Sequence, residues 1–176
     1  METKNKQIFD SLDDTHFKSA SKAENEFNIF KDLYRRTLGY DSFSDGFVVL
    51  QKGHQPLALS DELPIANILK KEGFGVILLD ETGLGKQADA LIDGQIFDFK
   101  NLRNTTNYFQ RIKKNCQNVV KKNCTNVVML IDKDFSDEDL IIQLRRLAGS
   151  PQIKGIEKIW FVVKSQLLRF ELADFK

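Results

Sequence analysis

The chain has 176 residues, of which 41% are hydrophobic and 29% charged, enough apolar surface for one compact domain with an appendage. Its 10 Gly, 3 Pro and 2 Cys exclude collagen-like, low-complexity and disulfide-scaffold classes. The net charge of +1 hides a polarity: between Lys100 and Ile131 stand Lys100, Arg103, Arg111, Lys113, Lys114, Lys121 and Lys122 with no Asp or Glu. A basic stripe on an otherwise acidic chain is a nucleic-acid footprint, or else a solvated helix face whose acidic neighbours come from elsewhere in the fold.

No apolar run approaches the roughly 18 residues of a membrane helix. Met1-Glu2-Thr3-Lys4-Asn5-Lys6 leads into no apolar stretch of the kind a secretory signal carries. Residues 1 to 22 are polar with scattered Phe and Ile, a segment that orders only by packing on something else. Ser21 and Glu24 then form a capping-box pattern, and Phe27, Phe30, Leu33, Tyr34 and Leu38 recur at helical spacing up to Gly39, predicting a helix over 22–38. A loop over 40–46 and a short strand over 47–51 follow. Ser60 caps a second predicted helix, 61–72, with Pro64 in its first turn and Gly73 at its end.

Strands are predicted over 74–80, 88–93 and 95–102. Asp93-Gly94 between the last two is a hairpin signal, because both positions of such a turn need positive φ. A basic helix over 106–123 precedes a buried strand over 126–131. A helix over 137–147 and strands over 158–163 and 167–172 complete the order. The fold class is therefore α/β (α+β), a mixed central sheet flanked by helices. Cys116 and Cys124 lie eight residues apart along a helical segment, about 12 Å of rise and too far for a disulfide. With His16 and His54 they lack the paired short spacings of a zinc framework, so both read as buried thiols.

Asp80-Glu81-Thr82-Gly83-Leu84-Gly85-Lys86-Gln87 imitates a phosphate loop. The imitation fails, because Asp80 replaces the first Gly and Gln87 replaces the Ser or Thr that holds magnesium. A strand follows it, not the helix whose N-terminus would cradle phosphate. The hairpin is more informative. Asp98 and Lys100 are two apart on one strand and project to one face. Pairing across Asp93-Gly94 brings Asp89 near Asp98, to within one or two residues of register. Two carboxylates side by side repel unless a cation neutralises them, so neutralising one of them is expected to leave the metal-free protein equally or slightly more stable. Oxygen ligands of this kind suit magnesium or manganese, and a metal there can lower the pKa of a bound water beside a phosphorus centre while Lys100 positions that water.

The pattern Asp89…Asp98-Phe99-Lys100 resembles the PD-(D/E)XK phosphodiesterase superfamily, whose core is the restriction-endonuclease-like sheet. Together with Gly46-Phe47-Val48-Val49-Leu50, Gly53-His54, Glu62-Leu63-Pro64-Ile65-Ala66, Gly73, Ala90-Leu91-Ile92-Asp93-Gly94 and Phe97-Asp98-Phe99-Lys100-Asn101, it is similar to one branch. That branch is the C-terminal toxin nuclease domains of contact-dependent growth inhibition (CdiA-type) and polymorphic toxins. The resemblance covers about Gly46 to Leu172 and leaves residues 1–40 outside it, so the chain is expected to divide into an N-terminal helical appendage over 1–40 and a nuclease domain over 41–176. It implies Asp89, Asp98 and Glu62 as metal-binding and catalytic acids and Lys100 as the catalytic lysine. Arg103, Arg111, Lys113 and Lys114 would contact nucleic acid. The ion would be Mg2+ or Mn2+, with Zn2+ a further candidate.

The activity implied is divalent-metal-dependent hydrolysis of RNA, with transfer RNA favoured, or of DNA. Its site of action would be the bacterial cytoplasm, reached from another cell as part of a larger secreted protein, and a cognate immunity protein would be its partner. His54, after a Gly in a loop, is a turn residue or a phosphate contact. Two departures stand out: Asp98 occupies a place where this branch more often has Glu, and Asn123 one where related toxins often have Gln. They support an alternative, a nuclease fold with a weakened site retained for binding. A mobile-element or restriction-type endonuclease is the third reading.

Overall fold

The computed structural model describes residues 2–12, 32, 36–51, 59–79 and 88–175. Most of the helix expected over 22–38, together with His16, His54 and the glycine-containing loop at 83–85, lies outside the described residues. The chain divides into two compact units, Met1–Gln95 and Ile96–Lys176.

In the first unit, helix α1 spans Lys4–Ser11, an element the polar N-terminal sequence did not predict. Its Thr3 cap accepts a hydrogen bond from the Lys6 backbone N–H at 3.3 Å. Packing completes it: the Phe9 ring lies 5.7 Å from both the Tyr40 and Phe47 rings, and Asn5 Nδ2 donates to the Gly73 carbonyl at 2.7 Å. The expected loop after Gly39 opens with a short strand, β1 (Gly39–Asp41), antiparallel to β2 (Gly46–Leu50). β2 runs parallel to β3 (Gly75–Leu78), which is antiparallel to β4 (Ala90–Ile92). The helix α2 between β2 and β3 begins at Leu59 and ends at Lys71. Ser60 is thus inside it and is not its cap, and Pro64 falls in the second turn. Gly46 allows the close approach of α2, since a Cβ there would sit 2.0 Å from the Lys70 carbonyl oxygen. Leu63, Ile65, Leu69, Val76, Leu78 and Ile92 fill the core of this unit. Asp93 (φ 47°) and Gly94 (φ 80°) have the left-handed backbone that a two-residue turn demands.

The second unit follows β5 (Gln95–Leu102) through α3 (Tyr108–Lys121) into β6 (Asn126–Ile131), then through α4 (Asp137–Ala148) into β7 (Lys158–Val163) and β8 (Gln166–Glu171). β5, β6 and β7 are parallel neighbours, and β8 closes antiparallel on β7. Parallel strands need a long crossover, here a helix each time. They read as near-continuous apolar runs because helices cover them: Val127, Val128 and Met129 of β6 and Phe161 of β7 are fully buried. Ser136 caps α4 by accepting from the Asp139 N–H at 3.1 Å, as its acidic first turn favours. Mixed sheets with helices connecting their parallel strands are the α+β class that the sequence predicts.

Candidate active site and nucleic-acid interface

Asp98 is fully buried on β5. An ionised carboxylate removed from water needs compensating charge, and two lysines supply it. The Lys100 ammonium, two residues on along the same face, pairs with Oδ2 and also donates to the Phe99 carbonyl at 2.9 Å. The Lys122 ammonium donates to Oδ1. The structure therefore brings Asp98 and Lys100 together as the sequence predicts, and adds a lysine that sequence reasoning placed only in the basic stripe.

Lys122 reaches Asp98 because of how α3 ends. The helix stops at Lys121, Lys122 is its C-cap, and Asn123 adopts φ 56°. That left-handed residue reverses the chain: the Asn123 and Cys124 N–H groups donate to the Val120 and Val119 carbonyls at 2.9 and 3.2 Å. The strand that follows lies beside β5 in parallel, with Val127 level with Asp98. Asn126 Nδ2, donating to the Ile96 carbonyl at 2.9 Å, fixes that register from the side. A cation at the C-cap of a crossover helix is therefore carried to the start of the neighbouring strand, and Lys121-Lys122-Asn123 was the signal for it. Asn123, expected on the basic helix, lies just beyond its end, where its tolerance of positive φ explains its presence.

Glu62 and Asp89 belong to the first unit, and both are buried. Glu62 lies in the first turn of α2. Asp89 immediately precedes β4, and its carbonyl accepts a hydrogen bond from the Leu79 N–H at 2.9 Å. Among the described residues no group of three or more His, Cys, Asp and Glu forms a ready-made metal cage. Asp98 is a hard oxygen donor of the kind that such an ion takes, and both its oxygens face ammonium groups: Oδ2 meets Lys100 as an ion pair and Oδ1 accepts from Lys122. To the lysine expected beside Asp98 the structure thus adds a second, so the carboxylate is attracted by two ammonium groups.

Helix α3 buries Tyr108, Ile112, Asn115, Cys116 and Val119 and turns Arg111, Lys114 and Lys121 to solvent, with Lys113 partly covered. Arg103, just after β5, is also exposed. The N-terminus of the helix is tied to β6: Asp132, the residue after that strand, accepts from the Asn104 N–H at 2.9 Å and from the Tyr108 hydroxyl at 2.8 Å. The Asn104 N–H and then the Tyr108 hydroxyl hold the Asp132 carboxyl below its usual value, and burial pushes the Tyr108 phenol up. The aromatic residues beside the stripe serve packing. Tyr108 lies edge-on to Phe135 at 4.8 Å, and the Arg146 guanidinium covers the Phe109 ring at 3.9 Å. Cys116 and Cys124 are buried free thiols, as the sequence predicts, and burial pushes Cys116 up to about 12.

Residues 86–167, just under half of the chain, match the sequence profile of the family described as contact-dependent growth inhibition CdiA C-terminal domain. The matched stretch contains Asp89, Asp98, Lys100 and the whole of α3. No curated protein matches the chain. Among solved structures, it is similar to a chain of the CdiA-CT/CdiI toxin and immunity complex from Burkholderia pseudomallei, with 24% identity and a TM-score of 0.52. That likeness covers 65% of this chain and 85% of the other, and shows a shared fold.

Proposed function

We propose that this chain is the toxin domain of a contact-dependent growth inhibition effector and acts as a divalent-metal-dependent nuclease, with transfer RNA the favoured substrate over DNA. The observation that carries the reading is the buried Asp98 with Lys100 beside it, lying within the stretch that matches the CdiA C-terminal domain and running directly into a helix without acidic residues. Asp98 would be a ligand of the ion, and Asp89 and Glu62, both buried, are the further acids that the resemblance implies. When bound, Mg2+ or Mn2+ would supply an acidified water and neutralise charge developing on phosphorus. Lys100, anchored by the Phe99 carbonyl, would orient the attacking water. Arg103, Arg111, Lys113 and Lys114 would hold the phosphate backbone in register, since such contacts position a substrate without reading its sequence.

The matched family and the toxin–immunity assembly of the structural relative support two further assignments. The domain would be delivered between cells as part of a larger secreted protein, and a cognate immunity protein would bind it. Among the described residues no helix is long and apolar enough to cross a membrane. A second reading, a nuclease fold retained for binding, draws on the full neutralisation of Asp98 by two lysines. Purified protein is incubated with total RNA and with plasmid DNA, in EDTA and with magnesium, manganese or zinc. Metal-dependent cutting that Asp98→Asn abolishes supports the nuclease. No cutting of either substrate under any metal, with nucleic-acid binding intact, overturns it in favour of the binding module.

A further inference from the structure

Arg146, in the last turn of α4, lays its guanidinium on the Phe109 ring at 3.9 Å. Both residues belong to the second unit. Phe109 lies in the first turn of α3, one turn ahead of Lys113 and two ahead of Gln117 along the same side of that helix. Gln117 Nε2 in turn donates to Gln152 Oε1 at 2.7 Å. These two contacts run the end of α4 and the turn after it along one side of α3, with Lys113 between them. Ile142, one turn before Arg146 and so beside it on the helix surface, is 51% exposed.

Among the described residues no carboxylate pairs with Arg146 or Lys113. The acids of α4, Asp137, Glu138 and Asp139, stand in its first turn, at the other end of the helix. Arg146 is exposed and Phe109 is partly covered, so the surface offers a guanidinium plane backed by a ring. A guanidinium is planar, weakly hydrated and stacks on π-faces, which an ammonium cannot do. The ring beneath holds it flat, and so reduces the rotamer freedom that stacking on its outer side would cost.

We infer that the Arg146–Phe109 pair is a stacking platform for an unpaired base, and that the protein grips its RNA at a single-stranded stretch. The inference rests on the nuclease reading for its ligand and deepens it by naming the substrate class. An unpaired base can lay one face on the guanidinium plane, with Ile142 as an apolar neighbour. Lys113 then stands one turn away for a phosphate, and the exposed amides of Gln117 and Gln152 can exchange their mutual bond for bonds to a base edge. A duplex covers both faces of each base with its neighbours, so it cannot use the platform.

The test is fluorescence anisotropy of the full chain, in EDTA, with a short unstructured RNA and with the duplex of the same sequence. Arg146→Lys keeps the charge and removes the plane. It should weaken single-strand binding by about tenfold, the scale of one stacked base. Duplex affinity and the salt slope should stay at the parental values, because the number of cations is unchanged. Phe109→Leu, which takes away the ring that holds the guanidinium flat, should show the same selective loss in smaller measure. Both variants should be confirmed as folded by circular dichroism melts; if Phe109→Leu does not fold, Arg146→Lys, an exchange at an exposed side chain, carries the test. Unchanged single-strand affinity in Arg146→Lys, or an equal loss for the duplex, overturns the platform and leaves the nuclease reading standing. A parent that binds neither RNA overturns the platform too, and the nuclease reading falls with it only where cutting is also absent.

Discussion

Asp98→Ala separates an ion-paired carboxylate from a merely crowded one. In the folded second unit this side chain is fully buried, and the Lys100 and Lys122 side chains facing it are 20% and 18% exposed. Breaking a buried pair by removing one partner costs about 3–5 kcal/mol, because the other charge is left uncompensated. Here the partners left behind are cations on flexible stems that can turn partly to water, which reduces the figure to about 2–3 kcal/mol. At roughly 2–4 °C per kcal/mol for a chain of this size, the melting temperature should fall by roughly 5–10 °C. Circular dichroism melts in EDTA measure it. The double variant Asp98→Ala/Lys122→Met should be less destabilised than the sum of the two single changes, because the second removes a charge the first has stranded. A metal-free Asp98→Ala protein that melts at the parental temperature would refute the reasoning, and would restore the crowded-carboxylate picture that the bare sequence suggests.

Replacing Arg111, Lys113 and Lys114 with Ala should weaken nucleic-acid binding and reduce the slope of log affinity against log salt by about 2, at roughly 0.7–0.9 per phosphate contact. Fluorescence anisotropy across a salt series reads this, and an unchanged slope shows that α3 faces elsewhere. Asn123→Gly should leave folding and activity intact, whereas Asn123→Ala should cost about 1 kcal/mol through its left-handed backbone. Loss of activity in a stable Gly variant would give this side chain the role of the Gln in related toxins. Asp132, held below its ordinary value in the folded state, contributes stability that is present above the unfolded carboxylate pKa and lost as pH falls through the lower folded one. Asp132→Asn should therefore melt with a shallower acid dependence below about pH 4 than the parent, and parallel curves would show that its hydrogen bonds from Asn104 and Tyr108 add nothing.

The second unit was legible almost element by element, because its strands are buried runs whose ends carry strong punctuation. The strands over 95–102, 126–131 and 158–163 coincide with β5, β6 and β7. Short elements that depend on partners were not legible. β1 has three residues and exists by pairing with β2, while α1 is an eight-residue polar helix whose order comes from Phe9 on Tyr40 and Phe47 and from Asn5 on Gly73. Within the site, period-two alternation sufficed to put Lys100 on the Asp98 face. Lys122 required knowing that Asn123 turns the chain and that β6 lies beside β5 in parallel, and neither fact resides in the motif. The charge balance at Asp98 was incomplete for the same reason: the neighbours counted were Asp89 and Lys100 of the hairpin, and the lysine arriving from 24 residues away was not counted.

Cleavage itself tests the account most directly. Parent, Asp98→Asn and Lys100→Ala proteins, each verified as folded, are assayed on total transfer RNA and on plasmid DNA as magnesium or manganese is titrated from EDTA upward. The account predicts cutting by the parent that rises with metal and falls by orders of magnitude in both variants, Asp98→Asn through the loss of a ligand and Lys100→Ala through the loss of the group at the attacking water. Undiminished cutting by both folded variants, or parental cutting that is the same in EDTA, would contradict it.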